Sequence, residues 1–158
     1  MGPLKGIKIL EFSGIGPGPY CGMLLADLGA DIIRVSRDNQ KGLENKFDIH
    51  NRSKRSITAD LKNPEVVEEI LKLIKEMDIV FEGFRPGVME KLGLGPEECI
   101  KLNESLVYGR MTGWGQDGPM ASQAGHDINY ISLSGALNSL GRKNSNPQAP
   151  LNLVGDYG

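Results

Sequence analysis

Short runs of aliphatic and β-branched residues alternate with longer segments of helical periodicity, and this alternation limits the possible folds more than any other feature of the sequence. The predicted strands cover residues 7–11, 32–35, 56–58, 79–81 and 106–108. Strands and helices that alternate in this way form βαβ units around a parallel sheet. The sequence therefore predicts an α/β fold with a Rossmann-like parallel sheet flanked by helices.

Helices are predicted between and after these strands. One covers residues 20–28, and Gly29 is expected to end it in a left-handed conformation. Asn63 and Pro64 predict the start of another, because a capping side chain precedes a proline that fits the first helical position. The apolar face of that helix consists of Val67, Ile70, Leu71, Ile74 and Met77. Further helices are predicted at 88–92, 97–102 and 128–140.

Composition and charge exclude several classes of protein. The 158 residues are 39% hydrophobic and 24% charged with a formal net charge of -2, which is typical of one globular domain and gives no general attraction to nucleic acid. No apolar run approaches the roughly 20 residues of a membrane-spanning helix. Cys21 and Cys99 are too few for a disulfide framework and are not spaced as metal ligands. We therefore expect no membrane segment, no nucleic-acid partner and no metal site, in a reducing compartment.

A glycine-rich loop at 14–19 follows the first predicted strand, which is where Rossmann folds bind a dinucleotide. Its spacing does not fit the NAD fingerprint, since Pro19 or Cys21 stands where the third glycine is needed. Arg34 and Arg37 lie at the end of the second strand, where an acidic residue would bind the ribose hydroxyls. The loop either simply turns the chain or faces a ligand other than NAD, and the arginines favour a phosphate group.

A cluster of basic residues occupies the next loop. Its members are Lys41, Lys46, Arg52, Lys54 and Arg55. Arginine binds phosphate oxygens with two N–H groups and lysine adds a point charge, so together they can hold a multiply phosphorylated ligand. The alternative is a solvated loop, which is what most charge runs form.

Gly125-His126-Asp127 and the later Asp156 carry the strongest signal for catalysis. An imidazole takes up and returns a proton near neutrality, and a carboxyl group can do the same in a buried environment. One such group on each side of a carbon acid would form a two-base proton relay. Spacing alone leaves other roles open: His126 as a buried core histidine, and Asp127 or Asp156 as a helix N-cap.

Six segments that follow one another along the chain form a more specific pattern. They are Ile-Gly-Pro-Gly-Pro at 15–19, Phe-Arg-Pro-Gly-Val at 84–88, Leu-Gly-Leu-Gly-Pro at 92–96, Met-Thr-Gly-Trp-Gly-Gln at 111–116, Gly-His-Asp-Ile-Asn-Tyr at 125–130 and Leu-Asn-Leu-Val-Gly-Asp at 151–156. Together they resemble the α-methylacyl-CoA racemases of the family III CoA-transferase superfamily. The resemblance implies interconversion of the two configurations at C2 of a 2-methylacyl-CoA thioester through an enolate. It implies no metal or redox cofactor, and CoA enters only as part of the substrate.

The same resemblance implies roles for individual residues. His126 and Asp156 would act as bases on opposite faces of the α-carbon, with backbone N–H groups near Asp156 and Tyr157 facing the enolate oxygen. The implied ligand contacts are Arg37, Arg52, Lys54, Gly125, Asp127, Tyr130 and Met111. The first three lie in segments that would hold the CoA phosphates, and Tyr130 and Met111 lie where the acyl chain would pass.

The resemblance also implies how the protein is organised. We expect residues 1–158 to be the N-terminal part of a truncated large CoA-binding α/β domain, because the family runs on to a smaller domain, a return of the chain and an acidic partner for the histidine. Its members form interlocked homodimers, so the chain alone is expected to be inactive or poorly folded. The expected compartment is the cytoplasm, or the peroxisome or mitochondrion in a eukaryote.

Two other functions stay open at this point. One is a family III CoA-transferase in which Asp156 attacks the thioester as a nucleophile. The other is a non-catalytic module that binds CoA or a nucleotide. The presence of His126 favours the racemase, because a transferase needs no second proton acceptor facing the α-carbon.

Overall fold

The computed structural model describes residues 2–37 and 47–158, so Lys41 and Lys46 of the basic cluster lie outside the described residues. Its strands are β1 (Lys8–Phe12), β2 (Asp31–Ser36), β3 (Arg55–Thr58), β4 (Ile79–Glu82) and β5 (Val107–Arg110). They pair in parallel in the order β3-β2-β1-β4-β5. This arrangement confirms the predicted α/β fold and its parallel sheet.

The helices in the described residues are α1 (Pro17–Asp27), α2 (Pro64–Ile74), α3 (Val88–Lys91), α4 (Pro96–Leu102), α5 (Asp127–Leu133) and α6 (Val154–Tyr157). Short 3-10 turns lie at Ile49–Asn51 and Ala136–Ser139. The chain divides into two compact units, Met1–Met111 with the sheet and α1 to α4, and Thr112–Gly158 with α5 and α6. None of the helices in the described part of the chain has the length and apolar character needed to span a bilayer.

The core of the first unit lies on both faces of the sheet, because successive strand residues point to opposite sides. Ile9, Ile32 and Phe81 pack with Ala26 of α1 on one face. The other face forms the larger cluster with α2, α3 and α4. Its buried members include Leu10, Phe12, Val35, Val80, Ile70, Ile74, Met89 and Cys99. Each fully buried aliphatic side chain contributes about 1.5–3 kcal/mol, so this double-sided core holds the parallel strands together.

Helix α1 begins three residues earlier than predicted, inside the loop assigned to residues 14–19. Pro17 is its first residue, and Pro19 also lies in the first turn. The N–H groups of a first helical turn have no partner within the helix, so a proline there loses no hydrogen bond. The predicted end is confirmed: Gly29 has a φ of 101°, and its N–H donates to the Ala26 carbonyl at 2.9 Å.

Helix α2 starts where the sequence predicts. The Asn63 Oδ1 accepts a hydrogen bond from the Glu65 N–H at 3.0 Å, and Pro64 is the first helical residue. The single helix predicted at 128–140 is wrong, however. Helix α5 ends at Leu133, and Gly135 adopts a left-handed φ of 81° before the 3-10 turn begins. A residue with a left-handed φ cannot continue a right-handed helix, so the apolar residues after Gly135 belong to a separate turn.

Candidate active site

A buried ion pair joins β1 to the residue before β3 in the first unit. The Lys54 Nζ, just before β3, is 2.7 Å from the Glu11 Oε2 near the end of β1, and these side chains are 1% and 0% exposed. Lys54 Nζ also donates a hydrogen bond to the Pro19 carbonyl at 2.9 Å. Gly22 leaves room for the pair, because a Cβ there would lie 2.1 Å from Glu11 Oε2. The Lys54 ammonium group, which was predicted to contact a phosphate, thus neutralises the buried Glu11 carboxylate next to α1.

A cavity of about 290 Å³ lies beside this ion pair. It is lined by Arg34, Asp48, Asn51, Arg52, Lys54, Arg55 and Ser56. The structure therefore brings Arg34, Arg52, Lys54 and Arg55 of the basic residues predicted to favour a phosphate to the same cavity, and two of them, Arg52 and Lys54, are residues that the resemblance assigns to the CoA phosphates. Arg37 is exposed directly after β2.

Much of the positive charge around the cavity is matched by acidic side chains. Arg52 and Asp27 form an ion pair in which the Arg52 Nε donates to Asp27 Oδ1 at 3.1 Å. That interaction raises the pKa of Arg52 and lowers that of Asp27. Arg55 binds Asp31 with a closest distance of 2.6 Å. These pairs could not be seen in the sequence, where the carboxylates lie more than twenty positions away, and they leave the cavity less basic than the cluster suggests.

His126 occupies the N-cap position of α5 in the second unit. Its N–H donates to the Asn129 Oδ1 at 3.0 Å, and the Asn129 N–H donates back to the His126 carbonyl at 2.8 Å. This reciprocal pair fixes the backbone of His126 while the residue remains exposed. The alternative of a buried core histidine is therefore wrong.

Asp127 joins the two segments that carry the predicted catalytic residues. It is the first residue of α5 and is 6% exposed. Its Oδ1 accepts hydrogen bonds from the Gly155 N–H at 2.5 Å and from the Asp156 N–H at 3.3 Å. Asp127 therefore does not cap its own helix, and its carboxylate serves the first turn of α6. Because His126 precedes Asp127, the backbones of His126 and Asp156 meet through this single side chain.

Asp156 lies half-buried in α6. Burial and the negative charge of Asp156 raise the pKa of Tyr130 and of Tyr157 above the usual value for a phenol. Tyr130 lies one helical turn after His126, so the Asp156 carboxylate is within electrostatic reach of α5, the helix whose N-cap residue is His126. The N–H groups predicted to face an enolate already have partners here: that of Tyr157 donates to the Leu153 carbonyl at 2.8 Å, and that of Asp156 makes the long bond to Asp127.

An aromatic pair supports the loop that leads to His126. The rings of Trp114 and Tyr130 meet edge to face with centroids 5.1 Å apart, and the Trp114 Nε1 donates to the Ala124 carbonyl at 3.3 Å. A Cβ on Gly113 or Gly125 would lie 2.5 Å or 2.8 Å from the Tyr130 hydroxyl. Gly125 therefore lets Tyr130 pack directly on the backbone before His126. Trp114 was not among the predicted site residues, although its position between two glycines in the 111–116 segment was a usable signal.

Glu82 is a second residue of this region that was not predicted from the sequence. It ends β4, is 3% exposed, and its Oε2 accepts the Phe84 N–H at 2.6 Å. Arg110 at the end of β5 contacts Glu82 at 3.4 Å and forms a further ion pair with Glu90. Burial raises the pKa of Glu82, with the Phe84 N–H and Arg110 opposing that shift. The Glu82 carboxylate thus holds the turn that follows β4. The strand order reverses between β1 and β4, and open α/β sheets bind their ligands at the carboxyl ends of the strands at such a point.

Met111 is the last residue of the first unit and lies next to the turn that follows β4. Its N–H donates to the Glu82 carbonyl at 2.8 Å, and the residue is 40% exposed. Of the predicted site residues, the second unit thus holds Gly125, His126, Asp127, Tyr130 and Asp156. The first unit holds Arg37, Arg52, Lys54 and Met111.

The fold and these residues define a Rossmann-like α/β protein with a histidine–aspartate pair in its second unit. Residues 4–158 match the sequence profile of CoA-transferase family III, and the chain belongs to that family. Alpha-methylacyl-CoA racemase of Mus musculus is 46% identical over 155 residues, and that of Homo sapiens is 47% identical over 156. Each alignment covers 98% of this chain and 40% of the relative, so the chain spans about 40% of the length of these proteins.

A solved structure shows the same architecture. The orthorhombic crystal form of Rv3272 from M. tuberculosis superimposes with a TM-score of 0.89 at 33% sequence identity, covering 99% of this chain and 46% of that one. Rv3272 is described as a probable fatty acyl-CoA transferase and is 35% identical to this chain over 166 residues. The relatives of this chain thus include proteins named for two different reactions of acyl-CoA thioesters.

Proposed function

We propose that the full-length protein is an isomerase that interconverts (2R)- and (2S)-2-methylacyl-CoA thioesters by removing and returning the α-proton. The observation that carries this proposal is the bond from Asp127 to the backbone of Gly155 and Asp156, which holds the segments of His126 and Asp156 together. The 46% and 47% identity to two racemases over 98% of the chain supports the same reaction.

These two side chains carry the proton transfers of the proposed reaction. The carbonyl acidifies the C2 proton, and the imidazole of His126 removes it from one face, so the C–H electron pair forms the enolate double bond and the oxygen takes the negative charge. The Asp156 carboxyl group then gives a proton to the opposite face. The reverse reaction exchanges their roles. Protons and electrons balance without a redox cofactor or a metal ion.

The CoA part of the substrate requires positive charge at some distance from the reacting carbon. We propose that Arg37 and Arg52 contact its phosphates, since Arg37 is exposed and Arg52 lines the cavity of the first unit. Lys54 would then support this region without contacting the phosphates, because its ammonium group binds the Pro19 carbonyl and neutralises Glu11. Met111 and Tyr130 are proposed to line the acyl path, with Gly125 and Asp127 beside the reacting end.

The complete site is proposed to need more protein than this chain. The racemase relatives are about two and a half times as long, since the chain covers 40% of each. A smaller domain, an acidic partner for His126 and a second copy in an interlocked homodimer are the parts that we propose to complete the site. The cytoplasm is the proposed compartment, or the peroxisome or mitochondrion in a eukaryotic source.

A second candidate function is CoA transfer, which the similarity to Rv3272 favours. Here the Asp156 carboxylate would attack the thioester carbonyl, and the C–S bond would break, so that CoA leaves as a thiolate and the acyl group forms a mixed anhydride with Asp156. The thiolate would then attack this anhydride to give an aspartyl-CoA thioester and the free carboxylate, and an acceptor carboxylate would take up the CoA by the same two steps in reverse. The exposed His126 at the start of α5 has no role in that sequence of steps. Its presence is the reason for placing the racemase first.

Incubation of a single 2-methylacyl-CoA configuration in deuterated water separates the two functions. The racemase reaction incorporates deuterium at C2 with no carboxylate acceptor present, and the transferase does not. His126→Ala and Asp156→Ala should each slow exchange about 100-fold or more, and each should affect one starting configuration more than the other. CoA binding without any exchange would instead identify a binding module. Small and equal losses in both variants would contradict the two-base mechanism.

A further inference from the structure

We propose that Asp127 is a positioning residue: its buried carboxylate holds the first turn of α6, and through it the Asp156 carboxyl group, in register with His126. This inference rests on the proposed racemase function. The carboxylate itself does not touch the reacting carbon, since both of its described hydrogen bonds go to the backbone of Gly155 and Asp156.

The backbone of α6 explains why it needs an outside acceptor. The N–H groups of a first helical turn lack partners within the helix, and an N-cap side chain normally accepts them. The N-cap residue of α6 is Leu153, which has no side-chain acceptor. Asp127 supplies the missing oxygen from another helix, 28 positions earlier in the chain. A four-residue helix gains little stability of its own, so the position of Asp156 depends on this bond.

Gly155 is matched to Asp127 by shape. A Cβ on Gly155 would lie 2.9 Å from the Asp127 carbonyl oxygen, 3.2 Å from its Oδ1 and 3.2 Å from the side chain of Ile131. Only glycine therefore allows the two backbones to approach closely enough for the 2.5 Å hydrogen bond. The close approach and the hydrogen bond together fix the distance between the start of α5 and the first turn of α6.

The other end of the connection is equally constrained. Asp127 directly follows His126, whose backbone is held by the reciprocal bonds with Asn129. The path from one base to the other thus consists of one peptide bond, one side-chain hydrogen bond and one further peptide bond. A displacement of reacting groups by about 1 Å can cost about 100-fold in rate. Loss of the Asp127 acceptor should therefore slow proton transfer while substrate binding is preserved.

Two substitutions in the full-length protein separate positioning from general structural support. Asp127→Ala removes the acceptor, whereas Asp127→Asn keeps an oxygen of the same geometry without the charge. At saturating substrate, Asp127→Ala should lower the kcat of deuterium exchange about 100-fold with KM changed less than about threefold. Asp127→Asn should recover activity to within about fivefold of the parent. Asp117→Ala, at an exposed aspartate in the same unit, is the matched control and should exchange at the parent rate.

Amide hydrogen exchange provides a second readout that does not depend on catalysis. The N–H groups of Gly155 and Asp156 should be protected in the parent and in Asp127→Asn, and should exchange faster in Asp127→Ala. Equal activity losses in both Asp127 variants, or unchanged amide protection in Asp127→Ala, would overturn the positioning role. If the parent itself catalyses no α-proton exchange, the racemase proposal fails, while the amide measurement still decides whether Asp127 holds α6.

Discussion

The Lys54 ammonium group lies out of reach of solvent, and its charge is matched by Glu11. Burial is the main influence on Glu11 and raises the pKa of that carboxyl group, while Lys54 opposes the shift. A buried ion pair adds little net stability, but removing one partner leaves an uncompensated charge in a medium that solvates it poorly. In the sequence Lys54 is one more member of a basic run, and only its burial distinguishes it from the exposed basic residues nearby.

Replacing Lys54 with methionine should destabilise the full-length protein by about 3–5 kcal/mol near neutral pH. The loss should be smaller in acid. Without Lys54 the pKa of Glu11 rises further above 4.5, so the folded state holds a proton that the unfolded state releases. The free energy of unfolding then falls as pH rises from about 4.5 through the folded pKa. Urea unfolding at pH 5 and at pH 8 measures the difference.

The matched control for Lys54→Met is the double variant with Glu11→Gln. Neutralising both partners removes the buried charge, so the double variant should be more stable than Lys54→Met at pH 8 and should lose the added pH dependence. A loss for Lys54→Met that is the same at pH 5 and pH 8, and is not relieved by Glu11→Gln, would show that Glu11 does not carry the effect.

Among the helices and strands, the start of α2 allows a direct test of whether a capping side chain stabilises the helix. Asn63→Ala removes the oxygen that accepts the Glu65 N–H and should lower the free energy of unfolding by about 1 kcal/mol. Asn63→Asp keeps an acceptor at the same position and should stay within a few tenths of a kcal/mol of the parent. Urea unfolding compares the three proteins. An Asp variant as unstable as the Ala variant would contradict a role for the cap.

The elements predicted well are those whose signals are local. Asn63 and Pro64 mark the start of α2 within two residues, and the five strands are displaced by no more than two residues at either end. The failures come from signals that are ambiguous without the backbone. Pro17 and Pro19 break helices in most positions but not in a first turn, and Gly135 can occupy a helix unless it adopts a left-handed φ, as it does here.

The residues of the candidate site also divide into those with a local signal in the sequence and those whose role depends on the tertiary fold. The histidine and aspartate could be proposed from residue chemistry and from the order of six segments. Asp127 was also predicted as a site residue, but as a ligand contact or a helix N-cap. Its role in connecting the two segments could not be predicted, because the Asp127–Gly155 bond joins residues 28 positions apart and depends on where two short helices lie. The ion pairs at the cavity and the Glu82–Phe84 bond are likewise products of the tertiary fold. The candidate reacting groups could therefore be proposed from the sequence, whereas the contacts that hold them in place depend on the tertiary structure.

For the whole molecule, the two compact units carry different chemistry. The first contains the sheet, the buried ion pair and the cavity with arginines, whereas the second contains His126, Asp127 and Asp156. Changes in the first unit should therefore act on stability and CoA affinity, and changes in the second on proton transfer. The Lys54 and Asp127 variants test this division directly, since the former should alter unfolding and the latter kcat.

A buried thiol allows unfolding of the first unit to be followed at a residue that the protein already contains. Cys99 in α4 is 0% exposed, and its Sγ lies 3.4 Å from the Leu94 carbonyl that accepts its hydrogen bond. Burial, with a smaller effect from Glu98, raises the pKa of Cys99 to about 11. At pH 8 only about one thousandth of such a thiol is ionised, and the thiolate is the reactive form.

Labelling of Cys99 by a thiol reagent at pH 8 should therefore follow unfolding. In the Cys21→Ser variant of the full-length protein, the label on the peptide that contains Cys99 can be quantified by mass spectrometry. This labelling should rise with urea in step with the loss of helical circular dichroism. The matched Cys99→Ala variant should lose this signal, which assigns the label to Cys99. Rapid labelling of Cys99 in the absence of urea, while the circular dichroism is intact, would mean that α4 opens locally and that the larger core is less cooperative than its packing indicates.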